Sequence, residues 1–276
     1  MKKAKGLSIL LVVLTTIIVF DGCKRGVDDP FFSFKSRKAR VTGDWTVDNM
    51  ESQILKTIGD QQLKANVKFN INGDGVSMSV DSIDTPHDTI KYYTGIVKES
   101  EYRFDKNSKM THTLKYEITE EKTQVNETTN QTTIERWVTT FETKGSGSWN
   151  FLGKVEINGI DKYKNKERIS FIYEYKYQKV DSVYTKRVFN EEMVEIPNLS
   201  SYKTSSYVID DGYANGQYAE IWVLRELRDK KIVMERDVNE YVVTSSVATV
   251  NGSTGTTSSS SYRARGAEKI TLKPRQ

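Results

Sequence analysis

Apolar and polar residues alternate with a period of two along most of this chain from Val41 onward. Residues 66–82 show the alternation twice, on either side of an Asn-Gly-Asp-Gly turn signal at 72–75. The longest stripe occupies every second residue from Ile169 to Tyr177, with a largely polar opposite face. One buried and one wet face is typical of antiparallel sheets. The pattern predicts an all-β protein of roughly nine or ten strands.

Five segments of the chain do not show this alternation. Glu51–Leu63 is the one stretch that could hold a helix, and the basic residues 37–40 predict a short, solvated helical turn. The Gly-Ser-Gly sequence at 145–147 predicts a break in a strand. Long loops are expected near 190–216, which contains Pro and Gly, and near 241–265, which is rich in Ser and Thr.

Many strands without helical cover favour an antiparallel barrel, since closure removes exposed strand edges. A β-sandwich is the alternative. We expect residues 41–276 to form one domain, a normal size for a single all-β unit. The oligomeric state stays open.

The amino-acid composition excludes some classes of function. The chain has 276 residues, one Cys, two His and a net charge of +4. A single Cys excludes an internal disulfide and a cysteine-rich metal site. The small net charge gives no support for nucleic acid as a partner. We therefore expect no cofactor, no metal and no nucleic acid.

The N-terminus predicts export. Lysines at positions 2, 3 and 5 precede an uncharged, mostly apolar run at 7–20, which is shorter than the roughly 20 residues that a membrane-spanning helix needs. A basic start before a short apolar run is typical of a signal peptide. Residues 1–22 are therefore expected to be cleaved from the mature protein.

Phe20-Asp21-Gly22-Cys23 resembles the lipobox of bacterial lipoproteins, with a small residue before the only cysteine. The resemblance implies acylation of Cys23 by palmitate and similar chains, and so a membrane anchor. Residues 23–40 would then be a lipidated tether and lead-in. Some lipoproteins carry an acidic residue at the position of Lys24, and that residue retains them at the inner membrane. Lys24 therefore favours the outer membrane. Whether the domain would lie on the periplasmic or the surface face stays open. The alternative is a plain signal peptide or an uncleaved anchor with a spectator cysteine.

Gly43-Asp44-Trp45 resembles the Gly-x-Trp motif that opens the first strand of lipocalins. Residues 29–45 and 147–168 are also similar to lipocalin-like lipoproteins of Bacteroidetes. The resemblance implies an up-and-down β-barrel of eight strands, with Gly43 and Trp45 as a structural motif and the Trp closing one end. An arginine commonly packs over that indole. The candidates are Arg37, Arg40, Arg263 and Arg265.

Small barrels can hold one apolar or amphipathic ligand. His112 lies on the apolar face of its strand, and Tyr173 and Tyr175 belong to the long stripe. We expect these three side chains to face the interior, where they either line a ligand cavity or fill a solid core. His112 is otherwise a hydrogen-bonded core residue.

The function expected is non-covalent ligand binding by a membrane-anchored lipoprotein, and not enzymatic catalysis. An interaction module that binds an unidentified protein or glycan through the long loops is the alternative, and a hydrolase on a β scaffold is a weaker one. Ser82, Thr89 and Ser182 each lie in an Asp-Ser/Thr-aliphatic sequence. That sequence resembles the O-glycosylation acceptor of Bacteroidetes, so the three are candidate glycosylation sites.

Overall fold

The computed structural model describes residues 36–58, 63–83, 90–214, 217–250 and 253–275, and this part of the chain is all-β. One short helix, α1 (Arg37–Val41), precedes the strands, and a 3-10 turn lies at Pro197–Leu199. The strands are β1 (Gly43–Ile58), β2 (Leu63–Asn72), β3 (Gly75–Ile83), β4 (Ile90–Phe104), β5 (Lys109–Asn126), β6 (Gln131–Leu152), β7 (Val155–Ile157), β8 (Ile160–Tyr163), β9 (Arg168–Phe189), β10 (Ser201–Gly212), β11 (Tyr218–Arg228), β12 (Lys231–Val250) and β13 (Ser253–Pro274).

Eleven strands form one large antiparallel sheet, which confirms the all-β prediction. Strands β1 to β6 pair in succession, and β6 pairs with β9. The first part of β9 pairs with β11 and its second part with β10. The pairing continues from β11 through β12 and β13 and returns to β1. The strands thus form one large sheet, not the two packed sheets of the sandwich alternative, and β7 with β8 is a separate hairpin.

The hairpin predicted over residues 66–82 is confirmed. Asn72 pairs with Gly75, and the turn between them contains Gly73 at a φ of 58°, a left-handed conformation that glycine adopts without steric cost. A second hairpin, formed by β11 and β12, turns at residues 228–231.

The prediction of long loops near 190–216 and 241–265 is largely wrong. The first contains β10, and the second is a long hairpin of β12 and β13 on either side of residues 251–252, which lie outside the described part. Threonine favours strands when a partner is available. This Ser/Thr-rich segment therefore forms strands of the sheet, although it lacks apolar alternation.

Two further expectations failed. Residues 51–58 continue β1 instead of forming a helix. The Gly-Ser-Gly sequence at 145–147 lies within β6, where the register shifts by one residue between Ser146 and Gly147. Here the glycine marks a bulge and a position where the backbones of two strands lie close together, and it does not end the strand.

One end of the sheet is filled by a packed core. Trp45 and Trp149 are 3% and 1% exposed, and the rings of Phe104 and Phe171 lie 5.5 Å apart between their centroids. Helix α1 adjoins this end: the indole nitrogen of Trp45 donates a hydrogen bond of 2.8 Å to the carbonyl of Val41. We call this region the packed end.

The basic turn before β1 is a helix, as predicted, but two of its three basic side chains are not solvated. Arg37 and Arg40 are 6% and 3% exposed, and Arg40 donates from Nη1 to the carbonyl of Leu227 at 2.6 Å. Arg263 and Arg265 are exposed, and they pair with the far end of β1, whereas Trp45 pairs with Pro274. These two arginines are therefore too far along β13 to cover the indole.

Two of the β-bulges, in β1 and β9, decide which side chains face the cavities described below. In β1, Asp48 has no partner on β13, so the core-facing positions change from odd numbers to even numbers after Val47. In β9, Glu174 has no partner on β6, and the same change follows Tyr173. A single extra residue moves every later side chain of that strand to the opposite face. Lys56 and Lys176 consequently face the core.

Candidate functional site

Beyond the packed end, the core-facing side of the sheet contains two cavities, of about 330 and 220 Å³. Both are lined by Ile54, Lys56, Gln178 and Glu268, so they adjoin one another. Small-molecule sites typically measure roughly 300–1,000 Å³ and combine an apolar wall with a few polar groups. The two cavities together meet that description.

The larger cavity has a mainly apolar wall, and we call it the apolar cavity. Strands β1, β2 and β3 form one side, and β5, β6 and β9 form the other. The ring of Phe141 stacks on Tyr116 with centroids 4.8 Å apart, and Tyr116 also contacts Phe69. The apolar and aromatic lining residues are Met50, Ile54, Val67, Phe69, Met78, Tyr116, Phe141 and Val180.

The smaller cavity is rich in charged and phenolic groups, and we call it the polar cavity. It lies between β10 and β12. These two strands pair with each other only where Ser205–Val208 of β10 meets Val247–Val250 of β12. The remaining length of the two strands is separated. The charged and tyrosine lining residues are Lys56, Lys176, Asp211, Tyr213, Tyr218, Arg236, Glu240, Tyr262 and Glu268.

A buried carboxylate, Glu220, lies between the packed end and the polar cavity. It is 7% exposed and receives hydrogen bonds from the Tyr173 hydroxyl at 3.2 Å and the Trp222 indole nitrogen at 3.3 Å. The Lys176 ammonium binds its other oxygen at 3.0 Å. The Tyr218 hydroxyl is a fourth donor, at 3.4 Å, and together the four hold this charge in place, as a buried carboxylate requires.

Arg236 links this carboxylate to two others. Its guanidinium lies 3.7 Å from Glu220, and it donates hydrogen bonds to Glu240 at 2.8 Å and Glu268 at 2.7 Å. It also lies over the ring of Trp222, 5.1 Å from the centroid. Glu220, Lys176, Arg236, Glu240 and Glu268 form what we call the charge cluster.

The pKa values follow from this arrangement. Burial by itself raises the pKa of Glu220, but the charges of Lys176 and Arg236 outweigh it and bring the pKa down to about 2. Burial and then the Glu220 charge raise the pKa of Tyr173 well above its usual value. Glu220 is thus an anion and Tyr173 a neutral hydrogen-bond donor throughout the neutral pH range.

His112 lies half-buried beside the charge cluster. Its ring stacks on Tyr102 at 5.3 Å and meets the edge of Tyr173 at 5.7 Å, and its Nδ1 has no hydrogen-bond partner. Burial lowers the pKa of His112 to about 4, so the ring is neutral at pH 7. His112 faces the core as predicted, but it lines neither cavity.

The structure separates the two tyrosines that the sequence grouped. Tyr173 is 2% exposed and packs against the Tyr218 ring, below the polar cavity and not in its wall. Tyr175 follows the bulge at Glu174 and pairs with Ser146 and Gly212 on the opposite face. The expectation that Tyr175 faces the interior is therefore wrong, because the bulge turns it outward.

The other predicted residues lie away from the cavities. Gly43 has a φ of 147°, which favours glycine, at the exit from α1, and it precedes the buried Trp45. Ser82 lies in β3, and the Ser182 hydroxyl is 3.2 Å from that of Thr139 between two paired strands. Cys23 and Thr89 lie outside the described residues.

Sequence reasoning missed the charged residues that face the core. Glu220, Arg236 and Glu268 each occupy the same alternate positions as apolar core residues of their strands, such as Trp222, Met234 and Ile270. A charge in a core-facing position was a detectable signal. Lys56 and Lys176 gave no such signal, because the bulges reverse the alternation before them.

A groove of about 480 Å³ on the outer face of β1, β12 and β13 is larger than either cavity. It is open to solvent and lined mainly by outward-facing charged residues, including Glu51, Lys68 and Lys269. In the described part of the chain, no three His, Cys, Asp or Glu side chains are placed to hold a metal. Among the same residues, no helix combines the length and apolarity needed to cross a membrane.

Comparison of the chain with protein-family models, with curated proteins and with solved structures gives no match. The function is therefore inferred from the cavities and from the residues around them.

Proposed function

We propose that this protein is a lipoprotein whose sheet is a lipocalin-like barrel, and that the barrel binds one small apolar or amphipathic molecule. The return of strand pairing from β13 to β1 and the burial of Trp45 at one end support the barrel. Residues 37–41 cover that end through the contacts of Arg40 and Val41. Ligand entry would then occur from the side of the polar cavity.

The apolar cavity carries the ligand-binding proposal. A well-packed interior of this size leaves few voids larger than a water molecule. The wall of Val67, Phe69 and Phe141 instead borders a solvent-accessible volume of about 330 Å³. An apolar ligand would contact side chains that otherwise lack packing partners on one side.

A pair of substitutions at adjacent residues tests this proposal. Val67 faces the apolar cavity, whereas Lys68 is exposed on the outer face of β2. Val67→Trp should fill the cavity and weaken the binding of a neutral lipophilic dye, Nile red, by about tenfold or more, since roughly 1.4 kcal/mol corresponds to a factor of ten. Lys68→Trp should leave the affinity unchanged. Native mass spectrometry of protein purified from its host should show one retained small molecule.

No saturable dye binding by the purified full-length chain, or equal losses in the two variants with thermal melting curves unchanged, would contradict ligand binding in this cavity. Recovery of a stable protein complex without any small molecule would favour the interaction module instead.

The anchor is a separate part of the proposal. Cys23 would be acylated and would hold the domain at the outer membrane, as the sequence Phe20-Asp21-Gly22-Cys23 suggests. A palmitate analogue should label the wild-type chain in cells, and Cys23→Ala should remove the label. Labelling that survives this substitution would contradict the anchor. Mass spectrometry of peptides with Ser82, Thr89 and Ser182 from the native host tests glycosylation in the same sample.

A further inference from the structure

Lys56 lies where the two cavities meet. It belongs to β1, faces the core because of the bulge at Asp48, and lines both the apolar and the polar cavity. A ligand that extended from one cavity into the other would therefore pass beside this side chain.

The other cationic side chains that line these cavities are bound to carboxylates. Lys176 binds Glu220 at 3.0 Å, Lys179 binds Asp181 at 2.7 Å, and Arg236 binds Glu268 at 2.7 Å. Within the described residues, Lys56 has no carboxylate within 4.0 Å, and its ammonium lies over the ring of Tyr262, 5.2 Å from the centroid. The aromatic face offsets only part of the cost of removing a charge from water.

The physical consequence is an ammonium group that lacks an anion. Burial lowers the pKa of Lys56, and no opposing charge restores it. An anionic ligand group at this position would supply the missing partner and form a charge-assisted hydrogen bond.

Two of the three carboxylates that line the polar cavity, Glu240 and Glu268, are already engaged. Arg236 binds both Glu240 and Glu268, and Ser52 donates a further hydrogen bond to Glu268 at 3.3 Å. The apolar wall begins on the other side of Lys56, with Ile54 and Phe69. A head group at Lys56 and a tail in the apolar cavity would place each part of an amphiphile in matching surroundings.

We propose that the ligand is a single-chain amphiphile with an anionic head group, such as a long-chain carboxylate, and that Lys56 binds this head group. This inference depends on the proposed ligand-binding function, because it specifies the chemical class of the molecule in the same cavities.

Three ligands of equal chain length, which differ only in head group, test the charge preference directly. The purified full-length chain is titrated with palmitate, hexadecanol and hexadecylamine by displacement of Nile red at pH 7. Palmitate should bind about 10- to 100-fold more tightly than hexadecanol, because a hydrogen bond to a charged group contributes roughly 1.5–3 kcal/mol. Hexadecylamine should bind most weakly, since its charge repels Lys56.

Variants then assign the preference to one residue. Lys56→Met should remove the advantage of palmitate over hexadecanol, because the carboxylate head group then has no cation to bind. Lys56→Arg should keep the advantage, because the positive charge remains. The matched control Lys68→Met removes an exposed lysine from the adjacent strand and should change neither affinity.

The outcomes separate this inference from the proposed function. If palmitate and hexadecanol bind the wild-type chain equally, or if the amine binds best, the anionic head group is wrong while ligand binding stands. If Lys56→Met keeps the full preference for palmitate, the assignment to Lys56 is wrong. If none of the three displaces the dye, the ligand-binding function fails and this inference fails with it.

Discussion

The packed end and the apolar cavity contain similar aromatic residues but differ in how completely these residues are enclosed. At the packed end, Phe104 is 2% exposed and contacts both Trp149 and Phe171. In the apolar cavity, Phe141 stacks on Tyr116 on one side and faces about 330 Å³ of open volume on the other. Strands β5, β6 and β9 contribute to both regions, so strand identity does not decide which region is filled.

This difference shows how one sheet can separate stability from binding. The packed end buries large side chains from several strands together with α1, which supplies dispersion and hydrophobic stabilisation. The apolar cavity leaves apolar surface without packing partners, which costs stability but leaves room for a ligand. The charge cluster lies at the boundary, where its buried charges fix side-chain positions between the two.

The first prediction compares two phenylalanine truncations and should show the largest effect. Phe104→Ala should lower the free energy of unfolding by about 3–5 kcal/mol, since it removes a fully enclosed ring and leaves a cavity. Phe141→Ala should cost less than half as much, because its ring already borders a cavity. Chemical denaturation measures both. Equal losses would show that the two regions are packed alike.

The second prediction concerns the boundary. Glu220→Gln keeps the shape of the side chain but removes the charge that Lys176 and Arg236 bind, and should cost about 3 kcal/mol at pH 7. The pKa of Glu220 is about 2, below its ordinary 4.5. Its stabilisation is therefore present above pH 4.5 and is lost as the pH falls towards 2. Acid titration of unfolding should show this loss in the wild type and not in the variant.

The third prediction uses His112 at the same boundary. The pKa of His112 is lowered from 6.5 to about 4, so the folded state holds the neutral ring while the unfolded chain takes up a proton. Stability should be complete above pH 6.5 and fall by up to about 3 kcal/mol as the pH drops to 4. His112→Gln should flatten this part of the profile. An unchanged slope in the variant would place the responsible group elsewhere.

The fourth prediction tests how closely the chain is packed at the boundary. A Cβ on Gly145 would lie 2.3 Å from Cε1 of His112 and 2.7 Å from Cε1 of Tyr173. Gly145→Ala should therefore cost about 1–3 kcal/mol through overpacking. Gly212→Ala is the control, since nothing lies within 4 Å of its added Cβ. Similar losses in both would indicate a general intolerance of strands for this change.

The fifth prediction tests the bulge at Glu174 without altering the protein's stability. Tyr175 lies on the outer face, whereas Tyr173 is 2% exposed. Tetranitromethane should nitrate Tyr175 and spare Tyr173. Fragmentation of the peptide at 169–176, which contains both, distinguishes the two by mass spectrometry. Nitration of both residues, or of Tyr173 alone, would contradict the described register.

Much of the fold was predictable from local pattern. The alternation and the turn at residues 72–75 identified the hairpin of β2 and β3, because both are local properties of the chain. The loops near 190–216 and 241–265 were mispredicted. Their strands lack a strong apolar stripe and are held by hydrogen bonds to the neighbouring strands β9 and β12, so backbone pairing rather than alternation makes them strands.

The candidate site was less predictable. His112 and Tyr173 were correctly placed on the core-facing side, since both precede any change of register in their own strands. Tyr175 was placed on the wrong side, because the unpaired Glu174 before it reverses the alternation of the strand. The charge cluster joins residues from β9, β11, β12 and β13, and nothing in any one of these segments indicates the other three.

The sequence by itself determined that the chain is all-β and where the hairpin of β2 and β3 turns, because these follow from alternation and turn chemistry within a few residues. Only the tertiary structure decided which face each strand buries. The bulges at Asp48 and Glu174 are set by pairing with β13 and β6, and each changes the facing of every later residue in its strand. These two bulges bring Lys56 and Lys176 to the core-facing side, where the cavities and the charge cluster lie.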